Sequence, residues 1–145
     1  YPMEPDSINS YVRFMKELLL DQVDILPENY HIPDGTLSKE EKNDIVRDSA
    51  IKRFEIVFDL AWKMVKAFME ERHNVSCISP RICFREAFRL ELIEYDEHWI
   101  EMTSDRNYTV HTYHEALAEK IYKKLPKALV EFKKLQTAIE KNKIE

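Results

Sequence analysis

Glycine is almost missing from this chain: one residue, Gly35, in 145. That scarcity excludes several kinds of function. A dinucleotide-binding fold needs glycines where the backbone meets a pyrophosphate. A phosphate-binding loop needs them for its amide cradle. A nucleotidyltransferase active site uses a Gly-Ser turn followed by paired aspartates, and no such run occurs. The chain is therefore not expected to transfer nucleotides by itself. With 6 prolines besides the single glycine, it also lacks the turn residues of an all-β protein.

Cysteine is scarce as well. Cys77 and Cys83 flank Pro80, no CxxC pair or HExxH run is present, and the zinc signatures are absent. There is no excess of positive charge: the net charge is −5 and the pI near 5.6. A protein that holds nucleic acid by bulk charge is usually basic, so any RNA contact must come from a local patch. Long hydrophobic runs and a leader segment are missing too, which predicts a cytoplasmic protein with no membrane association. In that compartment the two cysteines are expected to be free, buried or half-buried thiols.

What is present is a mixture of 44% hydrophobic and 34% charged residues, which fits a packed core under a charged surface. The pattern predicts a single all-α domain over residues 1–145, an antiparallel four- to five-helix bundle in up-and-down order. A first helix is expected from Ile8 to Leu26. Ser38 and Glu41 form a capping box that opens a second, running to about His73. Its apolar rows (Ala50, Phe54, Val57, Ala61, Val65 and Phe68, beside Ile51, Phe58, Trp62 and Met69) are wider than a surface helix needs. That helix should be central or should face a partner subunit. Ser79-Pro80 starts a third helix, to about Leu92. A fourth begins near Asp96. Thr112 and Glu115 form a second capping box before the last helix, which Pro126 should kink and which should fray beyond Gln136. Trp62 and Trp99 read as core residues.

One stretch concentrates chemistry. Asp105-Arg106-Asn107-Tyr108-Thr109-Val110-His111-Thr112-Tyr113 holds an arginine, an amide, a histidine and two tyrosines. Arginine offers a planar fork for phosphate, and histidine can give and take a proton near neutral pH. Together they suffice for metal-free RNA cleavage: His111 handles the 2′-hydroxyl or leaving-group proton, and Arg106 stabilises charge at phosphorus. The other reading is an interhelix polar network that pins a loop or a dimer contact. A helix break or a second subunit would help Arg106, His111 and Tyr113 to converge, since a continuous helix places His111 off to one side.

Three blocks carry a family resemblance. They are Lys52-Arg53-Phe54-Glu55 continuing to Asp59-Leu60-Ala61-Trp62-Lys63; Ser79-Pro80-Arg81 continuing to Arg85-Glu86-Ala87-Phe88; and Trp99 with Asp105-Arg106-Asn107 and His111-Thr112-Tyr113. Over about residues 50–135 the chain resembles the nucleotidyltransferase substrate-binding proteins, in the HepT-like branch of the HEPN superfamily. Arg106, His111 and Tyr113 fit that family's Arg-x4-His-x-Tyr pattern, with Asn107 at the polar position after the arginine.

The resemblance implies a toxin-antitoxin-like two-component system. The chain would be a homodimer and the helical, substrate-binding partner of a minimal nucleotidyltransferase. ATP and magnesium are expected on that partner, with no cofactor and no metal in this chain. The resemblance also implies an alternative: a ribonuclease with Arg106 and His111 as its catalytic pair and Asn107 in support, silenced when the partner adds AMP to Tyr113. A plain helical interaction module is a third reading. Arg81, Arg85 and Arg89 line one helical face; they either contact phosphates or pair with Glu55 and Asp59 across the bundle. His111, His114 and Glu115 read more simply as a cap with surface neighbours than as a metal site.

Overall fold

The computed structural model describes residues 38–94, 96–111 and 113–143, together with 10, 11 and 13. Every regular element among them is helical: α1 (Lys39–His73), α2 (Pro80–Arg89), α3 (Asp96–Tyr108), a 3-10 turn (Thr109–His111) and α4 (Glu115–Lys143). The all-helical bundle expected from composition is what forms. Among the described residues no helix is long and apolar enough to cross a membrane. The expected Ile8–Leu26 helix lies outside the described residues except at positions 10, 11 and 13, which are helical.

Local chemistry sets the helix ends. The Ser38 hydroxyl accepts the Glu41 N–H at 3.1 Å, and the Glu41 carboxylate accepts the Ser38 N–H at 3.4 Å. This reciprocal cap satisfies donors that the first turn would otherwise leave open. At the other end of α1, Asn74 takes a left-handed conformation (φ 52°), a role asparagine tolerates well. Ser79 caps α2 by accepting the Ile82 N–H, and Pro80 occupies the first turn, where its missing N–H costs nothing. The sequence carries α2 to Leu92, but the helix stops at Arg89. Glu91 adopts φ 63°, and the Leu92 N–H turns back to the Ala87 carbonyl at 2.8 Å. That turn buries Leu92 and Ile93, which a straight continuation would have carried onward.

α1 is the central element. Residues from Ala50 to Met69 along both apolar rows are buried, except Trp62, which is half-buried with the Lys66 ammonium 5.9 Å from its ring. The wide apolar surface of this helix is thus covered within one chain and does not itself call for a partner subunit. The core is tied by aromatics from all four helices. Phe84 stacks on Trp99 at 4.5 Å and lies 5.8 Å from Phe58. Phe132 meets both Trp99 and Phe54. Arg47 and Phe54 of α1 meet Glu119 and Phe132 of α4 in that order, so these two helices run in the same direction. α3 runs antiparallel to α4, with His98 beside Glu131 and Glu101 beside Lys124.

Two expectations are corrected here. α4 does not fray after Gln136: the helix continues to Lys143, Gln136 is buried, and Ile139 is fully covered by the core. One buried isoleucine per turn is enough to hold a charged helical end. The two cysteines are not free thiols either. The α1–α2 connection brings the Cα atoms of Cys77 and Cys83 to 5.2 Å, and their sulfurs form a disulfide, both buried. It closes a short loop around the Ser79 cap. In chain-entropy terms a loop of this size is worth about 2 kcal/mol. Urea unfolding of a Cys77→Ala/Cys83→Ala chain should show a loss of that size, matched by wild type under a thiol reductant. No loss in either would mean that the bond does not form in solution.

Candidate functional site

The break that ends α3 builds the site. Thr109 is 3% exposed in an otherwise polar stretch. Its hydroxyl donates to the Arg106 carbonyl at 2.7 Å and accepts from Arg106 Nη1 at 3.1 Å. The rest of the Arg106 fork turns to α1: Nε donates to Asp59 Oδ1 at 3.0 Å and Nη2 to Oδ2 at 3.1 Å. This two-point geometry is the strong form of an arginine–carboxylate pair. It fastens the end of α3 to the middle of the central helix. Arg106 is therefore a clasp in this structure, which matches the reading of the segment as a polar network that pins a loop.

His111 and Tyr113 form a second unit. The Tyr113 hydroxyl lies 3.1 Å from His111 Nδ1, and the rings meet edge-on at 5.7 Å. Both side chains are exposed, Tyr113 to 82%. A capping box at Thr112 and Glu115 would put Tyr113 in the first turn of the last helix. The helix instead begins at Glu115, and Tyr113 stands in the turn before it, in solvent. The proposed Thr112 cap lies outside the described residues. Asn107 is exposed on the last turn of α3. When its proton sits on Nε2, His111 can accept the phenol proton through Nδ1.

The arginine row does not make the expected pairs with Glu55 and Asp59. Asp59 is taken by Arg106, and Glu55 pairs with Lys52. Arg81 donates to the Ser104 hydroxyl on α3 at 3.0 Å, and Arg89 pairs with Glu86 on its own helix. Arg85 is exposed, with no carboxylate partner among the described residues. Among the described residues no group of three or more His, Cys, Asp or Glu side chains is placed to hold a metal ion.

Two charged clusters support this frame. Arg47, 6% exposed, is surrounded by Asp44, Asp48, Glu115 and Glu119 at 3.1 to 3.9 Å. Burial works against its charge, but hydrogen bonds to Asp48 and Glu119 outweigh that, and its pKa rises. The cluster fixes the first turns of α4, directly after Tyr113, to the start of α1. Lys124 reaches Glu101 at 2.7 Å and Asp105 at 3.3 Å. The lysine hydrogen bond holds the half-exposed Glu101 below the ordinary carboxylate range. Burial pushes Asp105 up despite the same lysine.

A model of the family described as nucleotidyltransferase substrate binding protein like matches residues 9–141. The chain belongs to that family. Among solved structures, this nucleotidyltransferase substrate-binding-like chain resembles a Thermus thermophilus protein. The two share 28% identity at a TM-score of 0.66, over 91% of this chain and 98% of that one. A Haemophilus influenzae protein described as having the fold of a substrate-binding domain of a nucleotidyltransferase shares the fold. It matches with a TM-score of 0.64 and 21% identity over 92% and 96% of the two chains. Among curated relatives, the probable ribonuclease HepT of H. influenzae is 30% identical over 95 residues, which is 60% of this chain and 65% of the relative. A putative glucosamine-6-phosphate deaminase-like protein of Bacteroides thetaiotaomicron is 50% identical over 40 residues, and the match spans 6% of its length.

The roles of three residues of the site were not legible in the sequence. Asp59 was assigned to the arginine row, because nothing local links it to Arg106 across 47 positions. Thr109 carries only the weak signal of a small residue where the polar stretch must turn inward. Arg47 sits among four acids spread over two helices, two of them distant in sequence.

Proposed function

We propose that this chain is the helical, substrate-binding partner of a minimal nucleotidyltransferase, and that Tyr113 is a side chain on which the partner acts. The observation behind this reading is the exposed Tyr113 hydroxyl beside His111 Nδ1. In the step, the phenol oxygen attacks the α-phosphorus of ATP. An O–P bond forms to AMP, pyrophosphate leaves, and the phenol proton passes to His111 or to a base on the partner. Magnesium and ATP are brought by the partner, whose metal supplies the electrophilic assistance. The AMP adduct places an anionic phosphodiester on this exposed turn.

The experiment mixes the chain with its nucleotidyltransferase, ATP and magnesium and maps mass increase by peptide. An adduct on the peptide carrying Tyr113 supports the proposal. An adduct only elsewhere, with a partner shown to be active, removes the acceptor assignment.

A second reading, a metal-independent ribonuclease, is favoured by the HepT relative and by the exposed His111. It requires RNA cutting in EDTA that His111→Ala abolishes. Equal cutting by variant and wild type would end it. In either reading we propose a homodimer. The support is the exposed apolar set Ile78, Ile82, Phe88 and Val110 among the described residues. Sedimentation at micromolar concentration tests this; a monomer throughout would count against it.

A further inference from the structure

We infer that Tyr108, with Arg81 and Arg85, forms a track that selects an unpaired RNA strand, Tyr108 serving as the stacking platform. The inference rests on the ribonuclease reading for its biological use, but the track itself is a binding surface and stands or falls separately.

Ser104, Asn107, Tyr108 and His111 are spaced three and four apart, so they share one stripe down the end of α3 and into the 3-10 turn. Asn107 and His111 are exposed, and Tyr108 is 53% exposed although it is a large aromatic. A ring left open to water in a chain that buries Trp99, Phe58 and Phe84 completely is not needed for the core. At the head of the stripe, the hydrogen bond from Arg81 to Ser104 joins α2 to α3. The row continues along α2 to Arg85, one turn further on. Neither arginine has a carboxylate partner among the described residues, while Arg89, the third of the row, is neutralised by Glu86. In a chain of net charge −5, these two guanidinium groups make a local positive end. Beyond Tyr113 the sign reverses, because Glu115, Glu119, Asp44 and Asp48 together exceed the single charge of Arg47.

The surface thus runs from arginines, past an amide and an aromatic face, to His111 and Tyr113, and is closed by repulsion at the far end. Arginines that hold phosphates and an aromatic on which a base stacks are the parts a single strand needs. A duplex keeps its bases stacked inside and cannot use the ring. The order also gives direction: the backbone enters over α2 and ends at the imidazole.

The test is fluorescence anisotropy with a fluorescein-labelled single-stranded RNA and with the same strand annealed to its complement. The full chain should bind the single strand more tightly. Tyr108→Ala should weaken that binding about tenfold, the effect of losing one stacked base, while Tyr108→Phe should keep it. Arg81→Gln and Arg85→Gln should each weaken binding and lower the slope of log affinity against log salt by about 1. Lys133→Gln, exposed on the distal half of α4, should change little. All four positions are exposed, and helicity by circular dichroism checks that the variants fold. Equal affinity for strand and duplex, or an unchanged Tyr108→Ala, would overturn the track. So would loss of nucleotidyltransferase binding with RNA affinity intact, which would make this a protein-docking face. Cutting in EDTA is read separately: strand binding without cutting leaves the track standing and removes the ribonuclease reading. Cutting by Tyr108→Ala with unaltered KM does the reverse.

Discussion

A Tyr113→Phe chain mixed with its nucleotidyltransferase, ATP and magnesium is expected to take up no AMP at this turn, while His111→Ala should still take it up, slowly. Phenylalanine keeps the ring and removes the only atom that can form the new O–P bond, so the loss should be complete. The His111 imidazole assists by holding the hydroxyl at 3.1 Å and accepting its proton. Losing a positioned base of this kind costs roughly 100-fold or more in rate. Tyr113 is largely exposed, and among the described residues its hydroxyl meets only His111, so neither variant should lower stability by more than about 0.5 kcal/mol. The measurement is time-resolved peptide mass, with Tyr108→Phe as the control. Full incorporation into Tyr113→Phe would move the acceptor elsewhere, and equal rates for His111→Ala and wild type would strip the histidine of its role.

The largest effect on folding is expected at Arg47. Its guanidinium is nearly inaccessible, whereas Asp44, Asp48, Glu115 and Glu119 are about half exposed or more. The asymmetry decides the outcome. Arg47→Ala removes the one cation and leaves four carboxylates facing one another at the junction of α1 and α4. Breaking a buried pair from the side that leaves charge behind costs roughly 3–5 kcal/mol, and the partial exposure of the acids should hold this case to about 2–4 kcal/mol. Glu115→Gln, by contrast, removes a distant partner from a surplus and should cost less than about 0.5 kcal/mol. Added salt should recover part of the Arg47→Ala loss by screening the acids. Urea midpoints of both variants at low and high salt make the check; comparable small losses would show that the cluster is only a solvated surface.

Much of this fold is written locally. Ser38 with Glu41, and Ser79 with Pro80, announce the starts of α1 and α2, because a cap is a contract among residues three apart. The apolar rows of α1 are equally plain, since burial on a helix repeats every third or fourth residue. Features that depend on distant segments were not readable. Glu91 at positive φ ends α2 early because Leu92 and Ile93 gain burial, and only the assembled core supplies that gain. Ile139 extends α4 for the same reason. The disulfide depends on how the α1–α2 connection turns, which spacing does not fix. At the site, Arg106, His111 and Tyr113 are recognisable together as a pattern, yet their division into a clasp and an exposed pair is not. The pairing of Arg106 with Asp59 on α1, 47 positions away, is part of what spacing does not reveal.

The 3-10 turn at Thr109–His111 also carries a meaning for assembly. It is the short segment that sends α4 back along α3. Straightened, residues 96–143 would make one rod, and α4 would find its place beside the α1 of another molecule, the arrangement known as domain swapping. The hydrogen bonds of Thr109 to Arg106, and of Arg106 to Asp59, are what bend the chain home. The same few atoms that frame the candidate site thereby favour the arrangement in which each molecule completes its own bundle.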